Sequence, residues 1–502
     1  MNALPTPSLA ASAADPLSAS GIADAVFGLE RAIDFAHPDW RDGDIHWWSL
    51  YRLEIYRLLF MAQAAPAAKT GKKQVTAAFK SVRQPAEPIP PGAVWLVSDG
   101  ISYARIGLRE IERFCGPLFA ACRAIGVPAV VIDRASPGPR DVAEPTCWWT
   151  PWTQRAKVTA TLAAKLAPDR RHERLSDLVA RAARAQGLTV PPLPARRFDA
   201  MARAVKRLAA KLERRMRLEQ VRAVFVVSYY DVSGYAFVLA AARAGILSVD
   251  VQHGVAGRYN PAYARWPLAR TGETILLPRC FWTWTESDST VIADWAPRHG
   301  RSARRAVCGG HPFLEAWRVG ELFLEGPMQQ SLERLLASAG GRTRVLVTLQ
   351  PNLTHADALA PLTSAFREAA DTVWWLRLHP MALAERAAIE ALLHRHGVVH
   401  WDIDTATALP LPALLPHASV HATHSSSAVL EAEALGIRSI VWSVYGAELA
   451  EDAVARGIAS VALDGASFRA CLEGVALQAT ADSDLRPNPA TQALRTILEM
   501  PA

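Results

Sequence analysis

The chain has 502 residues, of which 50% are hydrophobic and 21% charged, with 16 Trp, 14 Phe and 9 Tyr. Such a supply of apolar surface excludes a chain that stays disordered throughout. The 55 basic and 48 acidic residues leave a net charge of +7, which is compatible with an anionic ligand, while the dispersed basic residues and the lack of any recognition motif exclude nucleic acid as a partner.

Residues 1–25 are rich in Ala, Ser and Pro but lack a basic start followed by an apolar core. They read as a disordered lead-in rather than a signal peptide. Residues 45–63 carry Trp47, Trp48, Tyr51 and Tyr56 at helical spacing. This amphipathic helix is expected to pack on the first domain, with a membrane-interface anchor as its alternative. A Pro-, Ala- and Lys-rich linker, 64–92, follows.

From residue 93 strands and helices alternate. A buried strand at 93–100 ends in Ser98-Asp99-Gly100 and leads through a long helix to a second strand at 127–133. The cluster Cys147-Trp148-Trp149-Thr150-Pro151-Trp152 reads as a hydrophobic plug, although aromatic rings can also stack on a sugar. Residues 196–222 form a long basic helix with a solvated face. Strands at 223–228, 246–254, 281–286 and 305–312 complete this half, and 321–341 is a helix with a Gly-rich joint. The second half has strands at 344–349, 373–378, 398–401, 419–423, 439–444 and 459–463. No apolar run approaches the ~20 residues of a membrane-spanning helix. The six cysteines form no CxxC pair, which fits reduced thiols in a cytoplasmic protein.

This alternation specifies parallel sheets covered by helices on both faces. The expected fold is α/β, with two Rossmann-like parallel-sheet domains, 26–320 and 321–485, facing across a cleft. Residues 486–502 should form a helix that packs back on the first domain.

Ligands of open α/β sheets bind beyond the carboxyl ends of the strands. In the second half two such ends are polar. One is Arg377-Leu378-His379-Pro380, where Pro380 suits the first helical position and His379 points toward the cleft. The other is Thr423-His424-Ser425-Ser426-Ser427, whose hydroxyls can cap a helix or cradle a phosphate. Glu431 lies one turn further on. No GxGxxG follows a strand and no GxxxxGK[ST] is present, so a diphosphate site of another kind is expected. Asp402 and Asp404 are spaced as metal ligands but stand in an edge segment, and no metal is expected.

Arg-x-His-Pro followed by a Ser-rich helix start resembles the bacterial GT-B glycosyltransferases of capsule and surface-polysaccharide synthesis. These include sialyltransferases, Kdo transferases and CDP-glycerol-dependent polymerases. The resemblance spans roughly 223–463 and implies a GT-B-like fold and metal-independent transfer from a CMP- or CDP-activated donor. It also implies that His379, Ser425, Ser426 and Ser427 contact the donor phosphate, with Arg377 beside them, and that Glu431 holds the ribose. No further cofactor is implied. The acceptor would be an oligosaccharide or a lipid-linked glycan, handled in the cytoplasm or at the inner face of a membrane.

Transfer needs a base for the acceptor hydroxyl. Three candidates stand at strand exits of the first half: Asp99, Asp231 and His253. Ser98-Asp99-Gly100 resembles the acidic-Gly motif of polysialyltransferase-like enzymes, with Ser98 in place of the first acid. The segment 252–263 (QHGVAGRYNPAY) resembles a His-Gly loop of capsule transferases. His253 is preferred over Asp99, and His311 in Gly309-Gly310-His311-Pro312 stands near the donor side. A UDP-sugar 2-epimerase of the same architecture, or a non-catalytic member of a polysaccharide assembly complex, is the alternative.

Overall fold

The computed structural model describes residues 18–63, 88–136, 140–267, 275–297, 303–351, 356–366, 371–475 and 490–500. Residues 1–17 and 64–87, which hold most of the expected lead-in and linker, lie outside the described residues.

The first sheet has seven strands: β1 (Val94–Ser98), β2 (Ala129–Asp133), β3 (Thr146–Trp148), β4 (Ala223–Val227), β5 (Leu247–Val251), β6 (Cys280–Thr283) and β7 (Arg305–Cys308). Their order is β3-β2-β1-β4-β5-β6-β7, and every pairing is parallel. The second sheet has six: β8 (Thr343–Leu349), β9 (Thr372–Leu378), β10 (Trp401–Asp402), β11 (Val420–Thr423), β12 (Ser439–Val441) and β13 (Ala459–Val461). It repeats the same winding, β10-β9-β8-β11-β12-β13, again all parallel. Each sheet therefore reverses direction at one place, between β1 and β4 or between β8 and β11. Crevices at such reversals are where doubly wound sheets bind ligands.

Both faces of each sheet are buried. In β1, Trp95 and Val97 join one hydrophobic cluster, while Val94 and Leu96 join the cluster on the opposite face. In the second sheet Val345 and Val347 face one cluster and Leu346 faces another. Two covered faces favour apolar residues at consecutive positions, as in 94–97 and 223–227, while β5 and β11 carry the buried polar residues Ser248, Asp250 and His421. The fold is thus two Rossmann-like domains facing across a cleft, a GT-B-like arrangement. The last helix, Ala490–Leu498, returns to the first domain, where Ala493, Leu494 and Ile497 pack with Leu118 and Phe225.

Several expectations are corrected. The lead-in does not extend to residue 25: a helix runs from Ala19 to Ala32, its Gly21 N–H donating to Ser18 Oγ at 3.0 Å. Ile22, Ala23 and Val26 are buried along it. The membrane-anchor alternative for 45–63 fails on burial, since Trp47, Trp48 and Tyr51 of that segment are wholly enclosed by the first domain. The long helix expected after β1 is shorter, Cys115–Ala124, because an antiparallel hairpin, Tyr103–Ile106 with Arg109–Glu112, precedes it. The aromatic cluster supplies β3 and the start of the helix Thr150–Leu166. There Trp149 packs edge-on to Trp95 at 4.8 Å, as a plug and not as a sugar platform. Beyond His379 the chain forms a 3-10 segment, Pro380–Glu385, before the α-helix Arg386–Arg395, so no continuous helix 381–396 exists.

Candidate functional site at the domain cleft

The C-terminal wall is built at the reversal between β8 and β11. Thr423 ends β11, and its Oγ1 donates to the Thr348 carbonyl at 3.0 Å while accepting the Ser426 N–H at 3.1 Å. Gln350, at the exit of β8, bridges the two strands: its Nε2 donates to Thr423 Oγ1 at 3.2 Å, and its Oε1 accepts the Ser425 N–H at 3.4 Å. Ser426 Oγ accepts the Ala428 N–H at 3.2 Å. Ser443 Oγ closes the turn from below by donating to the His424 carbonyl at 2.7 Å. The fit is tight enough to demand Gly446, since a Cβ there would fall 1.9 Å from the His424 oxygen. Of the three serines, Ser425 and Ser426 line a pocket, whereas Ser427 stands at the head of the helix Ala428–Ala434 and makes no side-chain cap.

His379 leaves β9 on the other side of β8, with its N–H donating to the Leu349 carbonyl at 3.0 Å. Its Nδ1 accepts the Met381 N–H at 3.1 Å. A backbone N–H can only donate, so the ring hydrogen resides on Nε2. Burial, reinforced by the nearby Arg113 and Arg377 cations, holds the ring below the usual histidine range and keeps it a neutral donor. Arg377 stands two residues before His379, at the end of β9. Its Nη1 donates to the carbonyls of Ala406 (2.8 Å), Thr407 (3.2 Å) and Leu409, which gives it the role of bracing that loop.

Glu431 is neither solvent-facing nor isolated. It is 4% exposed, and its Oε1 accepts from Arg113 Nη2 of the first domain at 3.3 Å, while Oε2 is buried without a partner. The ribose contact implied for it would have to share this carboxylate with Arg113. Arg113 follows directly on the hairpin, over the rings of Phe114 and Phe313.

On the N-terminal wall the three base candidates separate. Asp99 is committed to its own turn: Oδ1 accepts the N–H groups of Ile101 and Ser102, each at 2.9 Å, and Oδ2 accepts the Ser102 hydroxyl at 2.7 Å. Asp231 caps the helix Val232–Ala244 through the Gly234 N–H and accepts from Arg134 Nη1, both at 2.6 Å. Arg134 Nη2 also clamps the carbonyls of Val227 and Ser228. Ser228 has φ +60°, a backbone conformation that an L-residue keeps only when its surroundings hold it there. His253 differs from both carboxylates. Its Nε2 lies 3.1 Å from the Tyr230 hydroxyl, and its Nδ1 is buried without a partner. Burial depresses its pKa, so the ring is neutral and able to take up a proton.

The walls meet. Val255, two residues beyond His253, lines the same small pocket, of about 10 Å³, as Thr423, Ser425, Ser426, Leu430 and Gly446. Among the described residues no group of three or more His, Cys, Asp or Glu is placed to hold a metal ion. Asp402 accepts the Ala406 N–H at 2.7 Å, and Asp404 pairs with Arg386 at 2.8 Å. No described helix is long and apolar enough to cross a membrane.

Arg113, Gln350 and Tyr230 were not singled out from the sequence. Gln350 obeys the strand-exit rule that found His379 and needed only its application to β8. Arg113 was hidden by the unforeseen hairpin.

No family model and no curated protein matches the chain. Among solved structures it is similar to a putative UDP-N-acetylglucosamine 2-epimerase from Listeria monocytogenes, at 12% identity over 81% of this chain and 95% of that one, with a TM-score of 0.49. It is also similar to a UDP-GlcNAc 2-epimerase from Neisseria meningitidis bound to UDP-GlcNAc, at 13% identity over 81% and 99%, TM-score 0.46. A glycosyltransferase from Streptomyces nogalater gives 18% identity over 81% and 99%, TM-score 0.40. Likeness at this level decides nothing about chemistry, and the fold assignment rests on the two strand orders.

Proposed function

We propose that this chain is a nucleotide-sugar enzyme that transfers a sugar in the cleft between its domains, to a glycan or lipid-linked acceptor. The observation that carries the reading is the shared pocket, in which Ser425 and Ser426 of one domain face the His253–Val255 loop of the other. The phosphate of the donor lies against Ser425, Ser426 and the Nε2–H of His379. The acceptor hydroxyl approaches from the N-terminal wall. As its oxygen bonds to the anomeric carbon, the carbon–oxygen bond to the phosphate breaks and His253 takes the hydroxyl proton. The charge growing on the departing phosphate is met by the serine hydroxyls and His379, as hydrogen-bond donors meet developing charge elsewhere. His253 is favoured as base because Asp99 and Asp231 are already spent on local hydrogen bonds. A CMP- or CDP-linked donor is the preferred class.

Thermal shift with CMP, CDP and UDP tests the ligand class, because a ligand bound only by the folded state raises the melting temperature. One of the three is expected to do so. With the matching nucleotide sugar, His253→Asn should keep binding while turnover falls about 10²–10⁴-fold. Undiminished turnover in that variant would remove His253 from the reaction. An epimer formed from donor alone, with no acceptor present, would replace transfer with 2-epimerisation.

A further inference from the structure

The part of the second domain that closes the pocket is also the part that the first domain holds. Gly446, Leu449 and Ala450 line the pocket together with Val255. They lie in or directly after the short helix Val444–Leu449, and the helix Glu451–Ala455 follows. Four separate segments of the first domain touch this pair of helices. Ser20, in the first turn of Ala19–Ala32, donates its N–H to Glu448 Oε2 at 2.9 Å. Tyr56, in the helix Trp48–Gln63, has its hydroxyl 3.4 Å from that of Tyr445, and the Phe60 ring packs on Tyr445 at 5.6 Å. Arg258, in the loop that carries Val255, pairs with Glu451. Ser287, in the helix Glu286–Ala293, donates to Asp452.

The pocket beneath these contacts is about 10 Å³. One water needs roughly 10–15 Å³, so a phosphate with its four oxygens does not fit. A ligand phosphate reaches Ser425 and Ser426 only after the helices at 444–455 have moved off the first domain, which breaks the four contacts together. The Arg258–Glu451 pair is the ionic one of the four. Its Arg258 side chain is 57% exposed, so salt screens it.

We propose that this edge is an interdomain latch that shuts the site. With the four contacts made the ligand is excluded, and only molecules in which they have parted admit it. The inference rests on the nucleotide-sugar reading above for the identity of the ligand. It makes the contacts inhibitory: entry scales with the unlatched fraction, and weakening the latch speeds binding.

Arg258→Glu sets two carboxylates against each other, and adding Glu451→Arg restores the pair in reverse. Two measurements on the full chain read the result. The Ser20 N–H, which has no acceptor within its own helix, reports parting of the domains through hydrogen–deuterium exchange, far in sequence from either substitution. Stopped-flow mixing with CMP, CDP and UDP reports ligand entry. Arg258→Glu should speed exchange at Ser20 and nucleotide association about two- to fivefold, the range that an exposed ion pair supports. The double variant should return to the wild-type rates, and added NaCl should speed exchange in the wild type. Unchanged exchange at Ser20 in Arg258→Glu would overturn the latch, as would a double variant that stays as fast as the single one. Faster exchange without faster association would show that the edge does not guard the site. Failure of the wild type to bind any of the three nucleotides would overturn the nucleotide-sugar reading instead, and exchange at Ser20 would still decide whether the edge parts as a unit.

Discussion

The two walls of the cleft share a strand order but differ in what holds their loops. On the N-terminal wall the loop after β5 is pinned by buried polar side chains. Gln252 donates to the Gly254 carbonyl (2.8 Å) and to Asp288 (3.0 Å) and accepts the Trp284 N–H at 2.7 Å. Asn260 ties the Val255 carbonyl to the Ala262 N–H. Arg52, from the helix Trp48–Gln63, donates to the carbonyls of Pro261 (2.7 Å), Ala264 (2.9 Å) and Arg265 (3.1 Å). On the C-terminal wall the turn 423–427 is short and rests mainly on Thr423, Gln350 and Ser443. A polar group whose donors and acceptors are all spent on fixing a loop has none left for a ligand, whereas a serine hydroxyl that accepts one N–H still has its hydrogen to donate. The first wall therefore contributes shape and one imidazole, while the second contributes hydroxyls.

The largest effect that would break this contrast comes from Arg52→Met. The guanidinium is wholly buried and forms an ion pair with Glu30 at 2.8 Å. Its removal strands a buried carboxylate and three carbonyls, and urea denaturation should show a loss of about 3–5 kcal/mol. A loss under about 1 kcal/mol, the ordinary cost of a point substitution, would mean that the loop holds its shape without this anchor.

A smaller effect, dependent on pH, lies beneath the second wall. His421 of β11 is buried between the hydroxyls of Thr348 and Ser439, each at 2.9 Å, and burial pushes its pKa down to about 3 from 6.5. As pH falls, the unfolded chain takes up this proton first. The stability contributed by the neutral ring is therefore whole above about pH 6.5 and declines toward pH 3 by about 1.4 kcal/mol per unit. Asp250, raised to about 7 by burial, titrates in the opposite sense. The quantity to measure is thus the stability of wild type minus that of His421→Gln, which should fall with that slope between pH 6.5 and 4. A flat difference would show that His421 is not held neutral.

The smallest stability effect is expected at the pocket itself. Ser425 Oγ has His424 Nδ1 at 3.1 Å, a local contact within the turn. Ser425→Ala should change stability by less than about 0.5 kcal/mol, as surface substitutions do, yet weaken nucleotide binding about three- to tenfold. A large loss of stability with unchanged binding would make the second wall a structural copy of the first.

Much of the fold was legible in the residues because burial on both faces writes a strand as an apolar run, and such runs stand out at 223–227 and 345–347. The hairpin at 103–112 was not. Its strands are half-exposed, and it interrupts a strand–helix unit at a point where only the turn glycines, Gly100 at φ +80° and Gly107 at φ +61°, signal the change. The strand-exit rule led to His379 and to Ser425 and Ser426 because it depends on local order alone. It could not tell Asp99, Asp231 and His253 apart, since all three stand at exits and differ only in the partners that distant segments bring to them.

Chain order and apolar patterning were sufficient to determine two parallel sheets and the strand ends where polar residues gather, because both follow from backbone hydrogen bonding and burial over short distances. Tertiary structure alone decided which polar atoms are spent and which are left to bind. Arg113 reaches Glu431 across 318 residues of chain, and Arg52 reaches the 261–265 loop across more than 200. No local pattern encodes such pairings, because only the packing of distant segments brings their partners together.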